Sequence, residues 1–274
     1  MILRVDKDGF LINDGNIKNI STKLLFILKR IAYFSKRELK NNFLSAYIRG
    51  SVSVGRFVEN ISDIDFVIIT KTRPKKDNFS NFLEYSLFLD NKYKWVKGFD
   101  LFLVSKNDLL KSPKLNKLRI YLKTQSVLLS GIDFLSNLEK YKLGIELSKN
   151  LLKEMDNEFL FIKQSLAFNK DFLYNNVKRD INFLCVWMSR IVLRFSLYSS
   201  IPVHKKYSND LSDCYKIVSN EYPLMEEDLK KALYWSRKPI DKKDVLLLYF
   251  NRVSANIKNI FKINLEKYEK QESN

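Results

Sequence analysis

The first half of the chain alternates between short apolar runs with strand patterning and longer segments with helical spacing. Apolar residues recur every three or four positions over 22–40, directly after Ser21, which predicts a helix capped by that serine. Further elements follow in turn: strands near 45–49, 64–70, 98–104 and 127–133, and helices near 78–90 and 114–126. A few strands flanked by helices predict an α+β unit with a small mixed sheet.

From about residue 145 the pattern becomes helical almost without interruption. The predicted helices cover 145–172, 176–200, 209–220, 225–236 and 241–268, with breaks at Pro202, Pro223 and Pro239. The change of pattern predicts two domains, a mixed one over 1–140 and an all-α bundle over 141–274. We expect the helical domain to form the other wall of a cleft.

The composition is that of a globular protein. Hydrophobic residues make up 46% of the 274 residues, with 20 Phe and 14 Tyr, so the chain has enough apolar surface for a proper core. No run of 18 apolar residues occurs and the first residues do not resemble a signal peptide, so we expect a cytoplasmic protein without a membrane partner. Cys185 and Cys214 are expected to be reduced core thiols, and the single histidine, His204, makes a zinc site improbable.

The net charge of +17 suggests an anionic partner. The basic residues are dispersed over both halves of the chain, and only Lys71-Thr-Arg-Pro-Lys-Lys76 is a dense cluster. This dispersion weakens the case for a dedicated nucleic-acid site, although a positive surface would help any nucleoside triphosphate to reach the protein.

One stretch carries candidate chemistry. Gly50-Ser51 is followed twelve residues after the serine by Asp63-Ile-Asp65 and then by the apolar run Phe66-Val-Ile-Ile69. Alternate side chains of a strand share a face, so Asp63 and Asp65 lie on the same side. Two adjacent carboxylates repel by about 4 kcal/mol at about 4 Å unless a cation such as Mg²⁺ lies between them. A Gly-Ser turn offers backbone N–H groups and a hydroxyl to phosphate oxygens.

A third acid belongs to a later strand. Asp100 lies in the strand-like segment Gly98-Phe-Asp-Leu-Phe-Leu-Val104. If that strand pairs beside the strand of Asp65, Asp100 completes a three-carboxylate site. A phosphate-binding turn together with three carboxylates indicates phosphoryl transfer.

Residues 47–69 resemble the nucleotidyltransferase superfamily of the DNA polymerase β type, whose signature is Gly-Ser, a spacer and Asp-x-Asp. The resemblance implies that Gly50, Ser51 and the nearby Arg56 hold the nucleotide phosphates. It implies that Asp63 and Asp65 are catalytic metal ligands, and that Asp100 is the third carboxylate, as a ligand or as the general base. In the branch that adenylylates aminoglycosides the third acid is often Glu.

The second domain resembles the helical half of a group of bacterial nucleotidyltransferase-domain proteins. The matching residues are Trp187, Arg190, Arg194, Tyr207-Ser-Asn-Asp-Leu211, Cys214-Tyr215 and Tyr222-Pro223. The group usually has Lys in place of Arg190 and Arg in place of Asn209. We expect Arg190, Arg194 and one of Lys205 or Lys206 to neutralise the triphosphate, and Tyr207 to stack on the base. The alternative is that the arginines pair with helix acids and that Tyr207 is a core residue.

These observations predict a metal-dependent nucleotidyltransferase that uses Mg²⁺ or Mn²⁺. It would move a nucleoside monophosphate, AMP from ATP in the first instance, to a hydroxyl of an unidentified acceptor. A small molecule is the favoured acceptor. The alternatives are nucleotidylation of RNA or of a protein, and a non-catalytic nucleotide-binding protein. The sequence does not indicate the oligomeric state.

Overall fold

The chain forms two compact units in a computed structural model that describes residues 2–167, 172–174 and 177–272. The sheet unit comprises Arg4–Tyr141. The helical unit comprises the chain from Lys142 onward together with the N-terminal residues up to Leu3.

The sheet unit contains a four-stranded sheet in the order β3-β2-β1-β4. Strand β1 is antiparallel to both β2 and β4, whereas β2 and β3 run parallel. The strands are β1 (Phe43–Arg49), β2 (Ile64–Thr70), β3 (Phe99–Ser105) and β4 (Ser126–Gly131). The helices are α1 (Thr22–Leu39), α2 (Lys76–Lys92), α3 (Lys106–Lys111) and α4 (Asn116–Thr124). The predicted α+β class with a small mixed sheet is confirmed.

Both faces of this sheet are covered, which explains why its strands are nearly continuous apolar runs. Residues of one face, such as Ile48 and Phe66, belong to a core that includes buried residues of α1 and α2. Residues of the other face, such as Tyr47 and Val67, lie in a second core with residues of α3 and α4. Charged side chains are therefore tolerated only where the strands begin or end.

The sequence located α1 correctly. The hydroxyl of Ser21 accepts a hydrogen bond from the Leu24 N–H at 3.4 Å, as the predicted cap requires. The helix ends at Lys40, whose positive φ of 48° breaks the helical repeat.

The helical unit differs in detail from the prediction. Its described helices are α5 (Ile145–Leu152), α6 (Met155–Ala167), α7 (Ile181–His204), α8 (Leu211–Glu221), α9 (Glu226–Trp235) and α10 (Lys243–Glu272). The single predicted helix over 145–172 is wrong, because the chain turns at residues 153–154. Two short antiparallel strands, β5 (Phe172–Tyr174) and β6 (Val177–Arg179), begin at the last residue of the first predicted helix and replace the start of the second. Residues 168–171 of the first predicted helix and residue 176 of the second lie outside the described residues.

The predicted break at Pro202 is also wrong, since α7 continues to His204. Proline has no N–H to donate to the carbonyl four residues earlier, here that of Tyr198. The hydroxyl of Ser148 donates to that carbonyl instead. This replacement bond comes from another helix, so the local sequence could not indicate it.

Helix α7 is long and apolar enough to cross a membrane by length and composition alone. Among the helices of the described residues it is the one that meets this criterion. Its buried residues, including Leu184, Val192 and Tyr198, place it in the interior of the helical unit, and this position accounts for its apolar character.

Candidate active site

Three charged side chains form a row across neighbouring strands of the sheet. Arg49 at the end of β1 pairs in register with Asp65 of β2, and Asp65 pairs with Asp100 of β3. Residues paired directly across strands point to the same face and lie about 5 Å apart. The pairing of β2 with β3 that the sequence anticipated is confirmed, and it brings Asp65 and Asp100 together.

Asp63 lies immediately before β2 and belongs to the same group of acids. Its negative charge helps to raise the pKa of Asp100 above its ordinary value. The largest cause of that rise is desolvation of the Asp100 carboxyl by surrounding protein atoms, although part of the side chain is accessible to water. The positive charge of Arg49 opposes the rise. All three predicted carboxylates therefore act within one electrostatic environment.

Arg49 is a candidate site residue that the sequence prediction missed. Its guanidinium Nη2 donates to Asp65 Oδ1 at 2.9 Å, and both side chains are about four-fifths buried. The buried Nε atom of Arg49 makes no hydrogen bond with the described residues. An arginine directly before Gly-Ser was visible in the sequence, but only the strand register indicates that it faces the acids.

The Gly50-Ser51 turn lies close to Asp65 and is held by hydrogen bonds from Ser53. Gly50 has a φ of +74°, a conformation that disfavours other residues, and an added Cβ would lie 2.7 Å from Asp65 Oδ2. The hydroxyl of Ser53 donates to the carbonyls of Gly50 and Gln125 at 2.9 and 2.8 Å. The position requires glycine for two independent reasons, backbone conformation and space.

The expectation of bare N–H groups in this turn needs one correction. The Gly50 N–H donates to the Gln125 carbonyl at 3.3 Å, and is therefore already engaged. Ser51 is half-buried, and its carbonyl accepts the Arg56 N–H at 2.7 Å. Ser51 and Arg56 are thus held at opposite ends of one short loop, and the Ser51 hydroxyl is the better candidate than the Gly50 amide for a phosphate contact.

The acids offer the donor atoms that a magnesium ion prefers, namely carboxylate oxygens. Among the described residues, no three His, Cys, Asp or Glu side chains already converge as a metal-binding group. The predicted set of three metal ligands is therefore not preformed in this arrangement. Mg²⁺ commonly takes one or two protein carboxylates and completes its shell with water and substrate phosphates. Asp63 and Asp65 fit that kind of site.

The basic residues predicted in the helical unit have different environments. Arg190 and Arg194 lie one turn apart on α7, are half-buried and interact with neighbouring groups. Burial raises the pKa of the Cys214 thiol to about 12; the charge of Arg194 opposes the rise, and those of Asp210 and Asp213 add to it. Lys205 and Lys206 are exposed at the end of the helix. Arg194 thus lies in the same surroundings as Asp210 and Asp213, which is consistent with the alternative that the arginines pair with helix acids.

Tyr207 is a core residue, which corrects its assignment as a base-stacking ring. Its side chain is fully buried and stacks on Tyr198 with ring centroids 5.8 Å apart. Its hydroxyl donates to Asn209 Oδ1 at 3.2 Å. Because no face of the ring is accessible, Tyr207 cannot stack on a nucleotide in this conformation.

Similarity to known proteins is evident only at the level of the fold. No protein-family model matches the chain, and no curated protein sequence matches it. A crystal structure of spectinomycin adenyltransferase AAD(9) from Enterococcus faecialis, with ATP and spectinomycin, superposes with a TM-score of 0.51. The alignment covers 87% of this chain and 100% of that chain at 13% sequence identity. The two proteins share a fold.

Proposed function

We propose that this protein is a metal-dependent nucleotidyltransferase that transfers AMP from ATP to a hydroxyl group. The observation that supports this most strongly is the pairing of Asp65 with Asp100 across β2 and β3, with Asp63 two residues before Asp65 and Gly50 beside the Asp65 carboxylate. The shared fold with an adenyltransferase crystallised with ATP supports it independently.

The proposal gives a role to each candidate site residue of the sheet unit. Ser51 and Arg56 bind phosphate oxygens. Arg49, which pairs with Asp65, reduces the repulsion between the carboxylates and the nucleotide phosphates. Asp63 and Asp65 would hold Mg²⁺, which supplies charge neutralisation for the triphosphate. Catalysis then depends mainly on positioning and on electrostatic stabilisation.

Asp100 is the proposed general base. Desolvation by surrounding protein atoms raises the pKa of Asp100, and a more basic carboxylate is a better proton acceptor near neutral pH. Asp100 takes the proton of the acceptor hydroxyl, the oxygen forms a bond to the α-phosphorus, and the bond from that phosphorus to the bridging oxygen breaks. Pyrophosphate leaves with the electron pair of that bond.

The helical unit contributes four candidate phosphate-binding cations, as predicted from the sequence. Lys205 and Lys206 are the exposed candidates, and Arg190 and Arg194 are half-buried ones. Tyr207 is no longer included, because it is buried.

A small hydroxylated molecule in the cytoplasm is the proposed acceptor, as the spectinomycin bound to the structural neighbour suggests. A polycation would need free carboxylates. Two acids of the helical unit that could attract one already pair with cations, Asp156 with Lys258 at 2.5 Å and Asp228 with Arg252. The net charge of +17 further favours an acceptor without several positive charges.

The proposal is tested by label transfer from α-labelled ATP with Mg²⁺ or Mn²⁺, together with pyrophosphate release. The acceptor pools are cell metabolites, total RNA and total protein. Asp65→Asn should reduce transfer by on the order of 10²-fold or more, since it removes one negative charge from the proposed metal site. Asp241→Asn is the matched control, because Asp241 is an exposed aspartate far along the chain in the loop before α10.

Label in one pool that depends on Asp65 but not on Asp241 supports the proposal and names the acceptor class. Equal transfer by both variants refutes the assigned site. ATP binding without label in any pool favours a non-catalytic nucleotide-binding protein.

A further inference from the structure

Helices α1 and α2 leave four aromatic rings around an open groove of about 480 Å³ on the sheet unit. Phe34 of α1 and Tyr85 of α2 stack with ring centroids 3.8 Å apart and an interplanar angle of 15°. Phe26 and Tyr33 are 59% and 69% exposed. A groove of this volume lies within the range of ligand sites, about 300–1,000 Å³. We call it the aromatic groove.

The charged residues that line the aromatic groove are all cations, namely Lys29, Arg30 and Arg37. The guanidinium of Arg30 lies 5.6 Å from the Phe26 ring centre, and that of Arg37 lies 5.9 Å from the Phe34 ring centre. Both arginines also lower the pKa of the Tyr85 phenol against the effect of burial. No carboxylate is among the described residues that line the groove.

The exposed rings are not a by-product of core packing. Leu24, Leu28 and Ile31 of α1 are buried against the sheet. Phe26 and Tyr33 lie on the opposite side of the same helix, where polar residues are expected. Exposed aromatic residues in a contiguous patch commonly mark an interaction surface.

The aromatic array continues along α2. Tyr85 and Phe88 are nearly parallel, with ring centroids 6.0 Å apart and an interplanar angle of 17°. The ammonium of Lys92 lies 5.4 Å from the Phe88 ring centre. Rings and cations therefore alternate across both helices.

We propose that the aromatic groove binds single-stranded nucleic acid. Unpaired bases stack on aromatic side chains while lysine and arginine bind the phosphates, and such surfaces read little sequence. A duplex keeps its base faces stacked and could use only the cations. Helices α1 and α2 cover the face of the sheet opposite to that of Arg49 and Asp65. Binding at the groove is thus independent of the proposed transferase site.

The test is fluorescence anisotropy with a labelled 20-nucleotide single-stranded RNA, without ATP or divalent metal. The protein carries Asp65→Asn, so that the result does not depend on nucleotidyl transfer. Tyr33→Ala should weaken binding about tenfold, whereas Tyr33→Phe should retain it, because the base stacks on the ring. Arg30→Ala with Arg37→Ala should lower the slope of log affinity against log salt by about one to two.

The matched control is Lys230→Ala with Lys231→Ala. These substitutions remove two exposed cations of α9, and so the same amount of charge. The control pair should leave affinity nearly unchanged, and a duplex of the same length should bind more weakly than the single strand. Circular dichroism establishes that each variant is folded.

Three results would overturn the proposal. One is equal weakening by the control pair, which would mean that the net charge alone attracts RNA. Another is equal affinity for the duplex and the single strand. The third is binding to phosphatidylserine vesicles that Tyr33→Ala abolishes while RNA binding is unchanged, which would assign the groove to an anionic membrane surface.

Discussion

Replacing Gly50 by alanine tests how closely the phosphate-binding turn and the acids depend on each other. Two effects add at this position. Alanine at a φ of +74° costs about 1–2 kcal/mol relative to glycine, and the new Cβ would lie 2.7 Å from Asp65 Oδ2. The carboxylate must turn away, which disrupts its 2.9 Å hydrogen bond to Arg49 and costs up to about 1 kcal/mol more.

Gly9 provides a matched control within the same unit. It has a φ of +80°, but an added Cβ would meet nothing within 4 Å. Gly9→Ala should therefore lower the free energy of unfolding by about 1–2 kcal/mol and leave nucleotidyl transfer unchanged. Gly50→Ala should lower it by about 2–3 kcal/mol and reduce transfer about 10²-fold, because a catalytic carboxylate is displaced.

Urea denaturation followed by circular dichroism measures the first quantity, and label transfer from ATP measures the second. If Gly50→Ala is no less stable than Gly9→Ala and keeps wild-type transfer, the contact between Gly50 and Asp65 does not hold that carboxylate in place. A loss of stability without a loss of transfer would show that Asp65 can move without consequence for the reaction.

Three further predictions concern polar side chains, one in the sheet unit and two in the helical unit. Asp100→Asn should abolish transfer yet stabilise the fold slightly at pH 7 in urea denaturation, because desolvation raises the native pKa of Asp100 and disfavours its ionised form; a destabilised variant would contradict this. Burial lowers the pKa of His204 to about 4. Its Nε2 lies 2.9 Å from the Ser200 hydroxyl, and its Nδ1 accepts a hydrogen bond from the Lys206 N–H at 3.0 Å. As the pH falls, the His204 ring of the unfolded state takes up a proton before that of the folded state. The free energy of unfolding should therefore fall by at most about 3 kcal/mol between pH 6.5 and 4, and His204→Gln should flatten this part of its pH dependence. Ser148→Ala should cost about 1–3 kcal/mol by leaving the Tyr198 carbonyl unsatisfied, and adding Pro202→Ala should restore most of it by supplying an N–H; additive losses in the double-mutant cycle would refute the replacement bond.

The sequence predicted the acids but not their neighbours. The spacing of Asp63 and Asp65 before an apolar run indicated a strand with two carboxylates on one face, and the structure has β2 there. The pairing of Asp65 with Arg49 and Asp100 depends on strand register, which arises from contacts between segments separated by 16 and 35 positions. Ser53 and Gln125, which fix the turn, are 72 residues apart and carry no local signal.

In the helical unit, tertiary contacts overrode two local sequence signals. Tyr207 belongs to a motif that resembled a nucleotide-binding one, yet burial makes it a core residue. Pro202 predicted a helix end, but the Ser148 hydroxyl of another helix donates to the carbonyl that proline leaves without a donor, and the helix continues. The aromatic residues of α1 could not be assigned to core or surface until the sheet defined which side of the helix it covers.

The sequence alone determined the class of the fold, the strand that carries the aspartates and the residue types available for phosphate and metal chemistry. Periodicity and turn residues encode these locally, because they depend on neighbours within a few positions. The tertiary structure alone decided that Arg49 lies beside Asp65, that Gly50 has no room for a side chain, that Tyr207 is inaccessible and that Phe26 and Tyr33 are exposed. Each of these depends on distances between segments remote in sequence, and those distances are set only when the sheet and the helices pack together.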